Sequence, residues 1–362
     1  MSNIDDILDQ FVNGYNVYLP NNKVVDEAFK DLVILVTGAA GSIGSGLVKQ
    51  LSFCSFKKLI ILDIAESGLY DLQQELVINN IQNFETVICD IRNIERLEHV
   101  FSAFKPNLII HTAAYKHVPL MEHNPYEAVT TNVLGTYNVS KLSEKYNVNK
   151  FVFISSDKAV NPISIMGATK RVAELCVNYF GEKKLKKTKF VTIRFGNVFG
   201  SNGSVVPLFK KQIENGGPIT LTHKAIDRYF MPIQEAVQLI LETTSLSNES
   251  ETYIFDMGKP VKIFELARKM ISQQGLNYPD DINVKIIGLR PGEKLEEELY
   301  FSYETLQSTS NNKIKLIGNK KVFDYQEIER KLYDLCSIHP NMDKQEIVSE
   351  IKKLVPEYNS TV

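Results

Sequence analysis

From Leu32 onward the chain alternates short runs of apolar, often β-branched residues with longer amphipathic stretches, and few folds accept such a pattern. The short runs are LVILVTG, KLIILD, TVICD, NLIIHTAA, KFVFISS and KFVTIRF. Between them lie a helical stretch to about Phe53, then ESGLYDLQQEL, NIERLEHVFSAF, EAVTTNVLGTYNVSKLSEKY and MGATKRVAELCVNYF. Strands that are apolar along their whole length must be covered on both faces. Helices of about 10–20 residues between such strands make the crossovers of a parallel sheet. The expected class is therefore α/β, a doubly wound parallel sheet.

After Gly196 the pattern changes to Gly/Pro-punctuated segments (NVFGSNGSVVP, ENGGPIT, GKP, LRPGEK) with only short helices expected between them. This divides the chain into an N-terminal extension (1–30), a sheet domain (31–195) and a smaller C-terminal lobe (196–362), with room for some of its segments to return to the sheet. The extension holds an amphipathic stretch, Ile4 to Phe11, and a turn-like Leu19-Pro20-Asn21-Asn22.

Composition narrows the partners. With 362 residues and 44% hydrophobic content the chain can bury a large core. Lys+Arg 41 against Asp+Glu 43, a net charge of −2, leaves no bulk basic field for nucleic acid or an anionic membrane. Any phosphate-bearing ligand must be held by local devices. The KKLKKTK run (183–189) reads as a solvated helix end and loop. Cys54, Cys89, Cys176 and Cys336 are too scattered for a CxxC or zinc pattern, and the six histidines form no HxxxH or HExxH, so no metal is expected. No apolar run reaches the roughly 18 residues of a membrane helix, and the acidic MSNIDDILDQ is unlike a signal peptide, so the expected location is cytoplasmic.

The first strand runs into Thr37-Gly38-Ala39-Ala40-Gly41-Ser42-Ile43-Gly44, which opens a helix and spaces Gly38, Gly41 and Gly44 as GxxGxxG. Such glycines let the backbone, including Ala40, Ser42 and Ile43, approach a pyrophosphate lying on the helix N-terminus. The second strand ends in Asp63, nineteen residues after Gly44. A carboxylate there can bind both hydroxyls of an adenosine ribose and would repel a 2′-phosphate, which favours NAD over NADP. Asp90, with the backbone of Ile91, falls where it could hold an adenine amino group. Ala113 and Ala114 offer small residues where a cofactor must lie against backbone, and Tyr115, Lys116 and His117 follow.

The chemistry concentrates between Ser155 and Lys170. Ser155, Ser156, Asp157 and Lys158 end the fifth strand, at the carboxyl edge where open α/β sheets bind ligands. Met166 and Lys170 are four apart and share a helix face, with Lys170 able to reach a nicotinamide ribose and residue 166 turned to the substrate. An Asp-Lys pair can also be an ordinary surface ion pair; the neighbouring cofactor motif argues against that here.

Taken in order, GxxGxxG, the Asp ending strand two, HTAAYKHVPLME, a helix carrying Asn132, SSDKAVNP and MGATKR resemble the extended short-chain dehydrogenases/reductases. More narrowly they resemble the polysaccharide-biosynthesis UDP-N-acetylglucosamine 4,6-dehydratases, from about Leu32 to Glu298. The resemblance implies a Rossmann-type doubly wound sheet with a smaller C-terminal substrate-binding lobe, bound NAD with Asn132 and Lys170 near it, and a homo-oligomer. Most extended members carry Tyr where this chain has Met166; the retaining, bacillosamine-pathway dehydratases share the departure. Their large relatives carry transmembrane helices before the catalytic part, so the match implies a soluble catalytic domain.

In the second lobe, the resemblance places Asn197 near the diphosphate and Ser204, Val205 and Pro207 along the uridine. Arg228 and Arg290 become diphosphate ligands and Glu293 a uridine-ribose partner, with Lys116 and His117 on the substrate side. The implied reaction on UDP-N-acetylglucosamine uses NAD for redox at C4 and C6, Lys158 as base at C5, and Asp157 as acid on the departing C6 hydroxyl. A thioether cannot take the C4 hydroxyl proton, so Ser156, Lys170 or water must relay it. Three alternatives stay open: an inverting dehydratase, a nucleotide-sugar 4-epimerase, and a non-catalytic NAD-binding sensor.

Overall fold

Six of the apolar runs become neighbouring strands: β1 (Val33–Thr37), β2 (Lys58–Asp63), β3 (Phe84–Ile88), β4 (Leu108–His111), β5 (Lys150–Ile154) and β6 (Lys189–Arg194). They are seen in a computed structural model that describes residues 22–183, 187–319 and 324–360. Ile4 to Phe11, the turn residues Leu19 to Asn21 and part of the charge run (184–186) lie outside the described residues. All six strands are parallel, in the order β3-β2-β1-β4-β5-β6. Strand order reverses between β1 and β4, where Thr37 pairs with His111. Diverging connections at such a point open a crevice at the carboxyl ends of the strands.

The rest of the chain does more for this sheet than its sequence advertises. Four short strands come first: β7 (Asn197–Val198), β8 (Ile219–Leu221), β9 (Asp227–Arg228) and β10 (Phe230–Met231). Then β11 (Thr252–Phe255) joins β6 in parallel. After β12 (Val261–Lys262) and β13 (Val284–Ile286), β14 (Leu306–Ser308) and β15 (Ile314–Ile317) close the nine-stranded sheet in antiparallel fashion.

One face of the sheet packs under the helices Ile94–Phe104, Thr136–Lys145, Ile165–Glu182, Tyr325–Cys336 and Lys344–Leu354. The other lies under Asn22–Phe29, Ser42–Leu51, Glu66–Ile78 and Ile233–Leu246. A separate small core, built around Phe209, Ile219 and Leu266, belongs to the second lobe. Residues after 196 thus supply three sheet strands and three covering helices as well as the lobe.

Two expectations need correction. The region after Gly196 is not limited to short helices, because Ile233–Leu246 is a 14-residue helix buried from Glu235 to Thr244. Its buried Glu235, Gln238 and Glu242 disguise it as amphipathic surface. The stretch 127–146 is not one regular helix either. It starts as Pro125–Val129, widens into a π-helical segment Thr130–Gly135 that carries Asn132, and resumes as Thr136–Lys145. Such segments frequently mark functional sites.

All four cysteines are free thiols. Among the described residues no cluster of His, Cys, Asp and Glu could hold a metal, and no helix is long and apolar enough to cross a membrane.

Candidate active site and cofactor cradle

The glycine turn sits at the switch point. Gly38 has φ +70°, and a Cβ there would lie 2.5 Å from the Ala113 amide nitrogen at the end of β4. A Cβ on Gly44 would lie 2.1 Å from the Gly38 carbonyl oxygen. The first glycine therefore permits the turn and the third permits the helix to pack on it. Gly41 is the N-cap of Ser42–Leu51, and no side chain caps the first amides. Those N–H groups, with the positive end of the helix dipole, suit an anion.

Asp63 is anchored by the same turn: its carboxylate accepts from Ala40 N at 2.9 Å and Ala65 N at 3.0 Å. Ala113, Ala114 and Tyr115 follow β4 as a partly exposed extended segment. Asn132 is buried, accepting from Tyr115 N (2.8 Å) and donating to Tyr115 O (3.0 Å) and Thr169 Oγ1 (3.0 Å). It clamps the backbone of that segment and lines no open surface.

Asp90 is already engaged, since Arg92 bonds both its oxygens and pairs with Glu127 as well. Partial burial would raise the Asp90 carboxyl, but the Arg92 hydrogen bonds and charge bring it below the usual range. Ile91 is buried, and its carbonyl accepts from Asn138 Nδ2 at 3.1 Å.

The candidate acid/base pair, Asp157 and Lys158, sits at the end of β5. Asp157 is 1% exposed and its Oδ1 accepts from Ser156 Oγ (2.8 Å) and Lys158 Nζ (3.0 Å). Its buried Oδ2 has no hydrogen-bond partner among the described residues and lies 3.2 Å from where a Gly196 Cβ would stand. Lys158 Nζ also donates to Asn197 Oδ1 at 3.1 Å and pairs with Glu297 Oε1 at 3.4 Å. Burial disfavours its charge, yet Asp157 and Glu297 outweigh burial and the repulsion of Arg228, so the ammonium is held more firmly than usual.

Beside this group, Lys170 Nζ donates to the Ile154 carbonyl at 2.7 Å and lies 4.1 Å from the Phe153 ring centroid. Burial, only partly offset by Glu174, lowers Lys170 to about 7. Met166 does not present an open face; it is 3% exposed and packed in the helical core. Ser155 points away, donating to the buried Glu174 at 2.7 Å.

From the second lobe, Arg228 donates to the carbonyls of Lys294 (2.8 Å) and Leu295 (3.0 Å), with Glu293 and Glu297 each 3.9 Å away. Glu293 accepts from Thr222 Oγ1 and from the Arg290 backbone amide, both at 3.1 Å, while Arg290 itself is exposed. Ser204 is the N-cap of Val205–Glu214, and its buried hydroxyl has no partner among the described residues. Val205 and Pro207, in the first turn, are half-buried. The 200–204 loop crosses to the glycine turn, where Asn202 N donates to Ser42 Oγ at 3.0 Å. It also meets Lys116, whose Nζ is 3.4 Å from Ser201 Oγ, and His117, whose ring abuts Gly203. Burial lowers both Lys116 and His117, and Lys116 lowers His117 further.

The fold therefore gathers Asp157, Lys158, Asn197 and Arg228 into one cluster at the same carboxyl edge of the sheet as the glycine turn. Ser155, Asn132 and Asp90 serve chiefly to hold the protein itself. Sequence reasoning missed Glu297, buried between exposed Glu296 and Glu298, and the Glu174–Arg194 pair. An acidic triplet one residue beyond RPGEK, after Leu295, was the only signal for the first.

The model of the polysaccharide biosynthesis protein family matches residues 34–319. The chain belongs to this family. Among similar curated proteins is the capsular polysaccharide biosynthesis protein CapD of Staphylococcus aureus, 49% identical over 278 residues. That match covers 76% of this chain but 46% of the relative, so the chain spans about half its length. A UDP-N-acetylglucosamine 4,6-dehydratase (inverting) of Campylobacter jejuni is 32% identical over 310 residues, covering 82% of this chain and 88% of its own. Among solved structures, Pen from Bacillus thuringiensis superposes with a TM-score of 0.70 at 36% identity, covering 75% of this chain and 84% of that one. The family match begins in β1 and ends just after β15, so it takes in the glycine turn, the Asp157-Lys158 pair and the returning strands.

Proposed function

We propose that this protein is an NAD-dependent nucleotide-sugar dehydratase that converts UDP-N-acetylglucosamine to its 4-keto-6-deoxy derivative with retention at C5. The observation that carries the reading is the contact of half-buried Lys158 with buried Asp157 at the carboxyl end of β5, on the same sheet edge as a glycine turn that admits no Cβ at Gly38 or Gly44. A 4-epimerase has no use for an acid/base pair aimed at C5 and C6, and a mere sensor has no use for it at all.

Gly38, Ala40, Gly41, Ser42, Ile43 and Gly44 would hold the NAD pyrophosphate, Asp63 the adenosine ribose, and Ala113, Ala114, Tyr115 and Lys170 the nicotinamide half. The backbone fits the group, because the helix N-terminus lacks a side-chain cap and the glycines leave no Cβ in the way. When bound, NAD supplies the oxidation at C4 and the matching reduction at C6.

The protein's own part is proton movement. One proton passed along the 3.0 Å contact from Lys158 Nζ to Asp157 creates both required species, an amine and a carboxylic acid. The amine takes the C5 proton, and the acid returns a proton to the departing C6 hydroxyl, which leaves as water. Asn197 orients the lysine through its 3.1 Å bond, and Ser156 orients the carboxyl. Met166 cannot accept the C4 hydroxyl proton, which leaves Ser156, Lys170 or water as its relay.

The Campylobacter jejuni relative, named as inverting, supports a second reading with the opposite C5 outcome. Incubation with UDP-N-acetylglucosamine in D2O, followed by NMR, tests both. The expected product is the 4-keto-6-deoxy sugar with solvent deuterium at C5 and retained configuration, and NAD should be released on denaturation. An inverted C5 would establish the second reading, whereas a 4-epimer with its C6 hydroxyl intact would overturn both. Asp157→Asn and Lys158→Ala should keep NAD while losing turnover by about 10²-fold or more.

A further inference from the structure

We propose that Glu297 is a positioning residue of the acid/base site, a second carboxylate that shares the Lys158 ammonium with Asp157 and governs when that lysine releases its proton. The inference rests on the proposed role of Lys158 as the base.

Glu297 is not a surface glutamate. Its side chain is 3% exposed, its Oε1 lies 3.4 Å from Lys158 Nζ and 3.9 Å from Arg228 Nε, and its buried Oε2 has no hydrogen-bond partner among the described residues. Burying a carboxylate with so few close bonds is costly, and it is tolerated where paired charges compensate.

The chain is built to deliver it there. Arg228 bonds the carbonyls of Lys294 and Leu295, Asp227 N donates to Leu295 O at 3.2 Å, and Lys294 Nζ donates to Val160 O at 2.9 Å. These bonds tie the 294–298 segment to β9 and to the turn immediately after Lys158. The charged groups facing Lys158 are thus Asp157 from its own turn, Glu297 from this segment and Arg228 from β9, with neutral Asn197 from β7.

The charges alternate from Asp157 through Lys158 and Glu297 to Arg228. When the Lys158 proton passes to Asp157, Glu297 stays behind as the counterion of Arg228, and no unpaired charge is left in the buried site. In the resting enzyme the same carboxylate opposes that transfer, because an opposite charge within about 4–6 Å favours the ammonium. Glu297 therefore restrains the base until substrate binding changes the balance.

Competitive acetylation of Lys158, read by peptide mass mapping across pH on the full-length protein, tests this without any turnover. The wild-type labelling rate should still climb near pH 10, as for a lysine held charged. Glu297→Gln should shift the whole curve down by about one pH unit or more, with Glu297→Asp intermediate and the exposed Glu296→Gln unchanged. The acid limb of turnover should move in the same direction in Glu297→Gln. Superimposable wild-type and Glu297→Gln curves would overturn the proposal. So would a wild-type curve that levels off by about pH 8, a result that stands even if Glu297→Gln fails to fold. Labelling that shifts as expected in a protein inert toward UDP-N-acetylglucosamine would uphold the charge sharing and overturn the dehydratase reading instead.

Discussion

At residue 166 the site departs from the pattern of most extended short-chain dehydrogenases/reductases, and the surroundings say what a reversion would meet. Met166 is 3% exposed within the helical core, and its carbonyl accepts from Thr169 Oγ1 at 2.8 Å. A tyrosine there would need room for a ring and a partner for its hydroxyl. Overpacking a filled core displaces neighbours, and a shift of about 1 Å at a reacting centre can cost roughly 10²-fold. Met166→Tyr is therefore expected to bind NAD but turn over more slowly, and a faster variant in a steady-state assay would contradict this account. Nearby Lys170, lowered to about 7, gains its neutral, proton-accepting form as pH rises through neutrality. Asp157 and Lys158 were legible in the sequence because they are adjacent and follow an apolar run. Glu297 was not, because its meaning comes from burial beside a lysine on a distant strand end, which neither spacing nor periodicity encodes.

At the level of elements, the glycine turn and six parallel strands follow directly from local pattern, since strands covered on both faces have no polar side to obscure them. Strands β14 and β15 escaped because they form an antiparallel edge with exposed or half-buried positions, β14 being exposed at all three of its residues; β11 is buried throughout, but its four-residue run stands alone after a region of short Gly/Pro-punctuated segments. The helix Ile233–Leu246 escaped because it buries glutamates and a glutamine that find partners only in the folded chain, as Glu242 does in accepting from Asn311 Nδ2 at 2.6 Å. The glycine turn itself gives a sharp expectation. Gly38→Ala puts a side chain at φ +70°, 2.5 Å from the Ala113 amide, so the backbone must move. The strain alone costs about 1–2 kcal/mol. Reduced thermal stability and loss of NAD binding by calorimetric titration should appear together; undiminished NAD affinity would show that the turn is not the cradle.

Across the whole molecule, a buried ion cluster joins what the chain order separates. Glu174 accepts from Arg194 Nε at 3.0 Å, from Arg171 at 3.1 Å and from Ser155, while Arg194 reaches on to Glu304 at 2.9 Å. The ends of β5 and β6 are thereby fixed to the helix Ile165–Glu182 and to the segment before β14. Burial pushes the Glu174 carboxyl up, but Arg194, Arg171 and Ser155 more than reverse it and bring it from 4.5 to about 2. A carboxyl lowered on folding lends stability that is complete above its unfolded value and is lost as pH falls from about 4.5 toward 2. Glu174→Gln leaves Arg194 short of charge and should cost about 3–5 kcal/mol at neutral pH, with a shallower loss of stability through that acid window. Urea unfolding at pH 7 and pH 3 measures both, and equal differences at the two pH values would refute the assignment.

The two borders of the sheet carry a different message, about what copies of this chain do when crowded. An unpaired strand is a template on which another chain can grow, and proteins guard against it with brevity or charge. Here β14 guards one border by offering only three residues, and β3 guards the other with Glu85, held by Lys58 at 3.0 Å. Ribbon-like growth from sheet to sheet is disfavoured at both borders, and a variant that lengthened β14 or neutralised Glu85 would trade solubility for fibres.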